Sequence, residues 1–258
     1  MGAQDISKTW KDVVREALVD LGGVAHLRDI NVAIQGHPKT RTNPTWRDTI
    51  RRVVRQYAIF EPVPPERSGK YRLVELPAVE AMPQSFRGRE KDDHGIAQGM
   101  LLALGRLYGY ETFAPAMDRT TREFQGKKLA DYTTVIDCAE FSGRASVKII
   151  CQIDAIWLTN DIAGAYPVYA FEVENSTRVR SGIDRLVEIP ERFGVSLYVV
   201  APGKEEQRLF EKLKVQNRYR RFIQRLQFRN YEELGSLYNS AVEHARIREQ
   251  FGIRQFGL

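Results

Sequence analysis

Apolar residues recur every three or four positions near the start of the chain, with polar residues between them. The first such segment runs from Ile6 to Leu21 and stops at the pair Gly22-Gly23, so it predicts an amphipathic helix. The same spacing predicts a short second helix from Leu27 to about Ile34, closed by "QGHPKT". The chain therefore opens with two helices in close succession.

A third helix and a pair of strands complete the first domain. The helix is predicted across "RTNPTWRDTIRRVVRQY", with Thr42 or Asn43 as its N-cap and Pro44 in its first turn, where the missing N–H of proline is tolerated. The segment "AIFEPVPPERSGKYRLVEL" places strand-forming residues on both sides of a turn rich in proline and glycine, which predicts a β-hairpin. Three helices followed by a hairpin are the element order of a winged helix, and we assign it residues 1–76.

A change in pattern separates this domain from a second one. Residues 77–91 carry prolines and polar residues without sustained periodicity, which indicates a linker. The domain at 92–258 opens with the helix "HGIAQGMLLALGRLYGY" and continues with the strand-like runs "TVIDCAEF", "SVKIICQIDAIWL", "YPVYAFEVEN" and "VSLYVVAP". Before the last of these runs, the segment "TRVRSGIDRLVEIPERFG" is predicted to be a helix. Two charged stretches after that run are also predicted to be helical. This order predicts an α/β (α+β) domain with a mixed central sheet flanked by helices.

Composition narrows the functional classes. With 43% hydrophobic residues, the 258-residue chain has enough apolar material for two domains. No apolar run approaches the roughly 20 residues that cross a bilayer, and no secretory signal is present, so we expect a cytoplasmic protein without membrane contacts. Cys138 and Cys151 lack the spacing of a zinc site, and we expect them to be buried thiols.

Positive charge is concentrated on the third predicted helix. The chain has 39 Lys and Arg against 33 Asp and Glu, which permits a polyanionic partner without requiring one. On this helix Arg47, Arg51 and Arg55 repeat every four residues opposite an apolar stripe, an arrangement suited to DNA phosphates and guanine edges. The alternative is a solvated basic face on a packing module. The candidate DNA contacts of this domain are Arg41, Asn43, Thr45, Arg47, Arg51, Arg55, Arg67 and Lys70.

Three acids interrupt apolar strand patterns in the second domain. Asp154 lies in "CQIDAIWL", and Glu172 and Glu174 lie in "YPVYAFEVEN". Alternation puts the two glutamates on one face of their strand, and pairing of the two strands would bring Asp154 beside Glu172. Such a cluster is repulsive unless a cation neutralises it, and oxygen ligands suit Mg²⁺, or Mn²⁺ as a substitute. The alternative is a set of surface carboxylates on a half-exposed hairpin.

The first domain resembles a known class of DNA-binding modules. The stretches "AHLRDI", "TNPTWRDTIRR" and "GKYRLV" are similar to winged helix-turn-helix domains found in restriction endonucleases and transcription-associated proteins. The resemblance covers about residues 6–75 and implies a fold and double-stranded DNA as partner. It implies no target sequence.

The second domain resembles the PD-(D/E)xK nuclease superfamily, the restriction endonuclease-like fold. "QIDAIW", then "AFEVENSTRVRSGIDRL" and "SLYVVAP" carry the resemblance, which covers about residues 92–228. It implies that Asp154 and Glu172 bind the metal and that Asp154, Glu172 and Glu174 are catalytic. Glu174 stands where the family usually has lysine, which leaves the general base open. Lys148, with the strand parity of Asp154, and Lys204 are candidates for the missing cation.

Further accessory residues follow from the same resemblance. His94 and Gln98 lie one turn apart on the helix that corresponds to the first core helix of these nucleases, which sometimes contributes a polar active-site group. Arg178, Arg180 and Arg185 are candidates for phosphate contacts, or form a solvated basic face. Ser176 and Thr177 are predicted to cap the helix that follows.

Together these features favour a Mg²⁺-dependent, type II restriction-like endodeoxyribonuclease that hydrolyses phosphodiester bonds of double-stranded DNA. A homodimer is expected, because cutting two strands symmetrically needs two such sites. Dependence on a modified cytosine stays open. The alternative is a non-catalytic DNA-binding regulator with a degenerate nuclease fold.

Overall fold

The computed structural model describes residues 7–65, 67–88, 90–138, 146–161, 164–174 and 178–253. The chain divides into two compact units. Unit 1 comprises Met1–Leu76 with two later segments, Thr134–Asp137 and Asn160–Ala165, and unit 2 comprises the rest.

Unit 1 combines helices with a small antiparallel sheet. Its elements are α1 (Trp10–Asp20), β1 (Val24–His26), α2 (Leu27–Ile34), α3 (Lys39–Thr42), α4 (Trp46–Gln56), β2 (Phe60–Pro62) and β3 (Lys70–Leu73). The strand order is β1-β3-β2. The second helix has the predicted bounds, whereas β1 is a strand that the apolar pattern did not indicate. It pairs with β3, which places Val24 opposite Arg72.

Side-chain caps explain where the first helices start. Thr9 Oγ1 accepts a hydrogen bond from the N–H of Asp12, and the Asp12 carboxylate accepts one from the N–H of Thr9, which closes a capping box on α1. The expected N-cap of the third predicted helix is wrong, because α4 begins only at Trp46. Asn43 instead forms a turn in which its Oδ1 accepts from the N–H of Thr45.

Two segments from the second half of the chain belong to unit 1 through backbone and side-chain hydrogen bonds. The N–H of Ala58 donates to the carbonyl of Thr134 at 2.9 Å, and the Tyr57 hydroxyl donates to Asn160 Oδ1 at 2.7 Å. The boundary of unit 1 is therefore discontinuous in sequence, which local periodicity does not reveal.

Unit 2 contains the larger sheet. Its elements are α5 (Glu90–Leu107), β4 (Glu111–Phe113), α6 (Ala116–Thr121), β5 (Glu123–Phe124), β6 (Lys127–Lys128), α7 (Val147–Ile150), β7 (Ala155–Asn160), β8 (Ala165–Val173), α8 (Val179–Leu186), β9 (Ser196–Ala201), α9 (Lys204–Lys214), β10 (Leu226–Asn230) and α10 (Tyr231–Gln250). Three short 3₁₀ helices at Leu129–Tyr132, Glu191–Phe193 and Asn217–Phe222 join them. The ends of β7 and β8, at Asn160 and Ala165, fall in unit 1.

The five strands form a mixed sheet in the order β10-β9-β8-β7-β4. The strands β8, β9 and β10 run parallel to one another, and β4 runs antiparallel to β7. The apolar side chains of α5 and α10 pack on one face of the sheet, where Trp157, Phe171 and Val173 join the core. The prediction of a mixed sheet flanked by helices is confirmed.

Two segments of unit 2 differ from the predicted elements. The run "SVKII" is the short helix α7, so only the residues after Asp154 form the strand β7. Residues 226–230, expected to continue a charged helix, form β10, because Leu226 and Phe228 alternate inward beside β9. The strand predicted at "TVIDCAEF" is wrong over its described residues 134–138, where Val135 forms only an isolated bridge with Tyr57. Residues 139–141 lie outside the described part of the chain.

The two cysteines are joined in a disulfide between Cys138 and Cys151, with Cα atoms 6.2 Å apart. The expectation of free buried thiols is thus wrong. Among the described residues, no helix is both long and apolar enough to span a bilayer.

Candidate active site

The three acids singled out by the strand pattern lie at neighbouring strand ends. Asp154 directly precedes β7, and its Oδ2 accepts a hydrogen bond of 2.8 Å from the N–H of Val173 at the end of β8. Glu172 and Glu174 project from the other face of the chain than Phe171 and Val173, as alternation predicts. Asp154, Glu172 and Glu174 are 7%, 0% and 4% exposed, so they are not the surface carboxylates of the alternative interpretation.

A guanidinium on α8 holds the two glutamates. Arg185 Nε donates to Glu172 Oε1 at 2.7 Å, and its Nη2 donates to Glu172 Oε2 and, at 2.9 Å, to Glu174 Oε1. A third donor, Nη1, reaches Ser181 Oγ at 3.2 Å. Arg185 therefore places a positive charge against both glutamates.

A glycine allows α8 to approach β8 this closely. A Cβ atom at Gly182 would lie 3.0 Å from Cγ and Oε1 of Glu174 and 3.1 Å from Cβ of Glu172. Because such contacts are tighter than ordinary van der Waals packing, a side chain at this position would require the two glutamate side chains or the helix to shift by a few tenths of an ångström. Gly182 thus sets the distance over which Arg185, one turn later, reaches both carboxylates.

Burial and mutual repulsion set the ionisation of the cluster. Burial and the charge of Asp154 raise the pKa of Glu172 well above its ordinary value, although Arg185 opposes them. Burial also raises the pKa of Glu174 to about 7. Burial acts in the same direction on Asp154, but His94, the N–H of Val173 and Arg185 outweigh it and lower the pKa of this carboxyl. The same carboxylates raise the pKa of Arg185, which stays charged.

The helix α5 contributes His94 and Gln98 beside Asp154. His94 Nε2 lies 3.4 Å from Asp154 Oδ1 without hydrogen-bond geometry, so the contact is electrostatic. The fully buried Gln98 amide donates to the Asp154 carbonyl at 2.8 Å and to Asp118 Oδ2 at 2.9 Å. Its Oε1 accepts no hydrogen bond. Both accessory candidates of this helix therefore lie next to Asp154.

Two of the acids, Asp154 and Glu174, open onto a cleft of about 1580 Å³ within unit 2. Asp154, Glu174 and Arg185 lie on its wall together with Ser181 and His94. Three further arginines line it, namely Arg87, Arg122 and Arg178. A cleft with acids beside several arginines can bind a phosphodiester while leaving oxygen ligands for a cation.

The other predicted residues of unit 2 lie elsewhere. Lys148 is exposed on the helix α7, so the strand parity that linked it to Asp154 does not exist. Lys204 is exposed at the first position of α9. Arg180 is exposed on α8 and reaches Gln216 at 3.5 Å. The predicted caps at Ser176 and Thr177 lie outside the described residues.

The predicted DNA contacts of unit 1 are for the most part solvent-exposed. The side chains of Arg41, Arg47, Arg51, Arg55, Arg67 and Lys70 are all exposed. Arg47 stacks on the Trp46 ring at 4.2 Å, and Arg51 pairs with Asp48 at 3.2 Å. Asn43 is half-buried, with its amide bonded to the hydroxyl of Thr49, so it and Thr45 serve the turn before α4.

The donor set of the acid cluster fits a hard divalent cation. Asp154, Glu172 and Glu174 offer carboxylate oxygens, and the Gln98 oxygen is an unpaired buried acceptor in the same region. Across the described residues, no three His, Cys, Asp or Glu side chains stand in an arrangement that would hold a metal as placed. The ligand chemistry is present, while Arg185 occupies oxygens that a cation would need.

Comparison with known proteins places the acid cluster inside a recognised region. The family model described as the type II restriction enzyme NmeDI C-terminal domain matches residues 75–251. The type II restriction enzyme NmeDI of Neisseria meningitidis serogroup C is 28% identical over 173 residues, which is 62% of this chain and 48% of that protein. The chain thus spans about half the length of the curated relative that it matches. No solved structure matches the chain.

Proposed function

The chain belongs to the family of the type II restriction enzyme NmeDI C-terminal domain, and we propose on that basis that it is an endodeoxyribonuclease of the type II restriction kind. Its substrate is double-stranded DNA, and its cofactor is Mg²⁺, with Mn²⁺ as a substitute. The observation that carries the proposal is the set of three buried carboxylates, Asp154, Glu172 and Glu174, of which Asp154 and Glu174 line a cleft that also contains several arginines. Bringing buried carboxylates together costs free energy through repulsion and desolvation, and such clusters are typical of functional sites.

Each residue of the cluster has a proposed part in hydrolysis. When bound, the cation activates water and offsets the charge that develops on the phosphate. Asp154 and Glu172 would hold it through carboxylate oxygens, and the N–H of Val173 fixes the orientation of Asp154. Glu174, whose pKa burial raises to about 7 in the metal-free protein, would accept a proton from the attacking water. The proposed proton acceptor is thus the glutamate that stands where the PD-(D/E)xK nucleases usually have a lysine.

The arginines of the cleft are proposed to bind the DNA phosphates. Arg122 is held by Asp118, with Nε 3.0 Å from Oδ1, and Asp118 also accepts from Gln98. Arg178 lines the same cleft at the start of α8. A DNA backbone in the cleft would meet these guanidiniums as it passes the acids.

Unit 1 is proposed as a winged helix-turn-helix that binds DNA through α4. The helix places Ile50, Val53 and Val54 in the core of the unit and leaves Arg47, Arg51 and Arg55 exposed along the opposite side. Exposed Arg67 and Lys70, in the turn and at the start of β3, would form the wing.

Replacing Arg47 and Arg51 with alanine should weaken binding of duplex DNA about tenfold or more, because two phosphate contacts are lost. The plot of log affinity against log salt should also become less steep, by about 2 in slope. Fluorescence anisotropy at several salt concentrations measures both quantities. The matched control is Arg15→Ala, which removes an exposed arginine of α1 and should leave affinity and slope unchanged. Equal affinity in the double variant would remove α4 from the DNA contact.

A homodimer is the proposed assembly, since cutting both strands requires two acid clusters. Light scattering coupled to size-exclusion chromatography measures the mass directly. A monomer that still makes double-strand breaks at low protein concentration would contradict this part of the proposal.

Matched substrates test whether the proposed enzyme depends on a modified cytosine. Methylated and unmethylated copies of one plasmid are incubated with the protein, with and without Mg²⁺. A dependent enzyme cuts only the methylated copy, and an independent one cuts both. If duplex binding persists without cutting of either, or of phage DNA with modified bases, the protein is a DNA-binding regulator with a degenerate nuclease fold.

A further inference from the structure

We propose that Arg185 is a built-in counter-ion that occupies Glu172 and Glu174 while no divalent cation is bound, and that it leaves these carboxylates when a cation binds. The inference rests on the proposed metal site, because without a cation Arg185 has no competitor.

Arg185 contacts Glu172, a proposed metal ligand, and the adjacent Glu174, the proposed base. Both oxygens of Glu172 and one oxygen of Glu174 accept hydrogen bonds from its guanidinium. Asp154 has one oxygen engaged by the N–H of Val173 and the other beside His94. A guanidinium and a divalent cation repel each other, so a cation bound to Glu172 would weaken the contacts of Arg185. The absence of a preformed three-ligand group among the described residues is consistent with this occupancy.

Arg185 is placed so that its head group can move without unfolding the helix. Its side chain is 24% exposed and lines the cleft, while Glu172 and Glu174 are 0% and 5% exposed at their side chains. Ser181 Oγ, also on the cleft wall, already accepts one of its N–H groups. The guanidinium can therefore turn towards the cleft, where a DNA phosphate would receive it, while the carboxylates stay in place.

The closing experiment measures metal binding by the full chain without DNA. Calorimetric titration with Mn²⁺ should show weak binding by the wild type and binding tighter by about tenfold to a hundredfold in Arg185→Met, since charge-assisted hydrogen bonds no longer compete. Methionine keeps the apolar stem and removes the charge. Arg246→Met is the matched control, because Arg246 clamps the exposed Glu243 with two N–H groups at 2.9 and 2.6 Å and should leave Mn²⁺ affinity unchanged.

The outcomes separate this inference from the proposed function. If folded Arg185→Met binds Mn²⁺ no more tightly than the wild type, while Asp154→Asn abolishes binding, the counter-ion proposal is wrong and the metal site stands. If neither protein binds Mn²⁺ at any concentration, both fail.

A second measurement uses the wild type and does not depend on the folding of the variant. The Nε–H of Arg185, bonded to Glu172 at 2.7 Å, should give a protected ¹⁵N signal that Arg185→Lys removes. Saturating Mg²⁺ should abolish that protection. A signal that persists unchanged at saturating Mg²⁺ would overturn the proposal.

Discussion

Asp154→Asn and Glu172→Gln are each expected to lower the rate of DNA cleavage by about a thousandfold or more, because each removes a carboxylate charge from the proposed metal site. The amides keep the shape of the acids. Asparagine can still accept the hydrogen bond from the N–H of Val173, so the ends of β7 and β8 should stay paired. Initial rates of cutting of a supercoiled plasmid in Mg²⁺ measure the effect.

Two controls test whether the loss of cleavage is specific to the acid cluster. Glu111→Gln removes a carboxylate that is equally buried, at 2% exposure, on the edge strand β4, and it should cut at about the wild-type rate. Both site variants should bind duplex DNA with wild-type affinity in the absence of metal, since they contribute no cation to phosphate. If either variant cuts within tenfold of the wild-type rate, its acid does not belong to the catalytic group.

Gly182→Val is expected to have the second largest effect, on stability and on cleavage together. Its Cβ would meet Glu174 and Glu172 at 3.0 to 3.1 Å, and valine adds two methyl groups beyond that Cβ. Overpacking of this kind lowers the free energy of unfolding by roughly 1–3 kcal/mol. A displacement of α8 by a fraction of an ångström also moves Arg185 and the acids it holds, and cleavage should fall about a hundredfold. Chemical denaturation and the plasmid assay measure the two effects.

Gly235→Ala is the matched control for a helical glycine. A Cβ there would lie 3.5 Å from the Phe86 ring, an ordinary contact, so stability should stay the same or rise slightly. If Gly182→Val were as stable and active as this control, the close approach of α8 to β8 would have no role in the site.

Much of the candidate site could be predicted because it depends on local alternation. Glu172 and Glu174 share a face since strand side chains alternate, and the apolar residues around them indicated that both would be buried. Asp154 could be added because it opens the adjacent strand. The short helix Leu27–Ile34 and the long C-terminal helix followed equally from periodicity.

The contact of Arg185 with the two glutamates could not be predicted in the same way. Arg185 lies on a helix, eleven residues beyond Glu174, and its contacts depend on how α8 packs against β8. The resemblance directed attention to lysines near the strands, and periodicity then assigned Lys148 to a strand that is a helix in the structure. The available signal was Gly182, one turn before an arginine on an amphipathic helix that follows two acids.

Long-range pairing explains the remaining differences. The strands β1 and β10 are short, and they form because β3 and β9 offer edges to pair with. The disulfide between Cys138 and Cys151 likewise joins residues whose spacing fits no recognised motif. Such features depend on which segments meet, which single-chain patterns do not encode.

The central claim, that the acid cluster cuts DNA with a divalent cation, is tested most directly by the wild-type protein on supercoiled DNA. Methylated plasmid, unmethylated plasmid and phage DNA with modified bases are each incubated with the full chain in Mg²⁺, in Mn²⁺ and in EDTA. The account predicts conversion of at least one substrate to linear or nicked products with Mg²⁺ or Mn²⁺ and none in EDTA. Intact DNA in every reaction, at protein concentrations that saturate duplex binding, would contradict it.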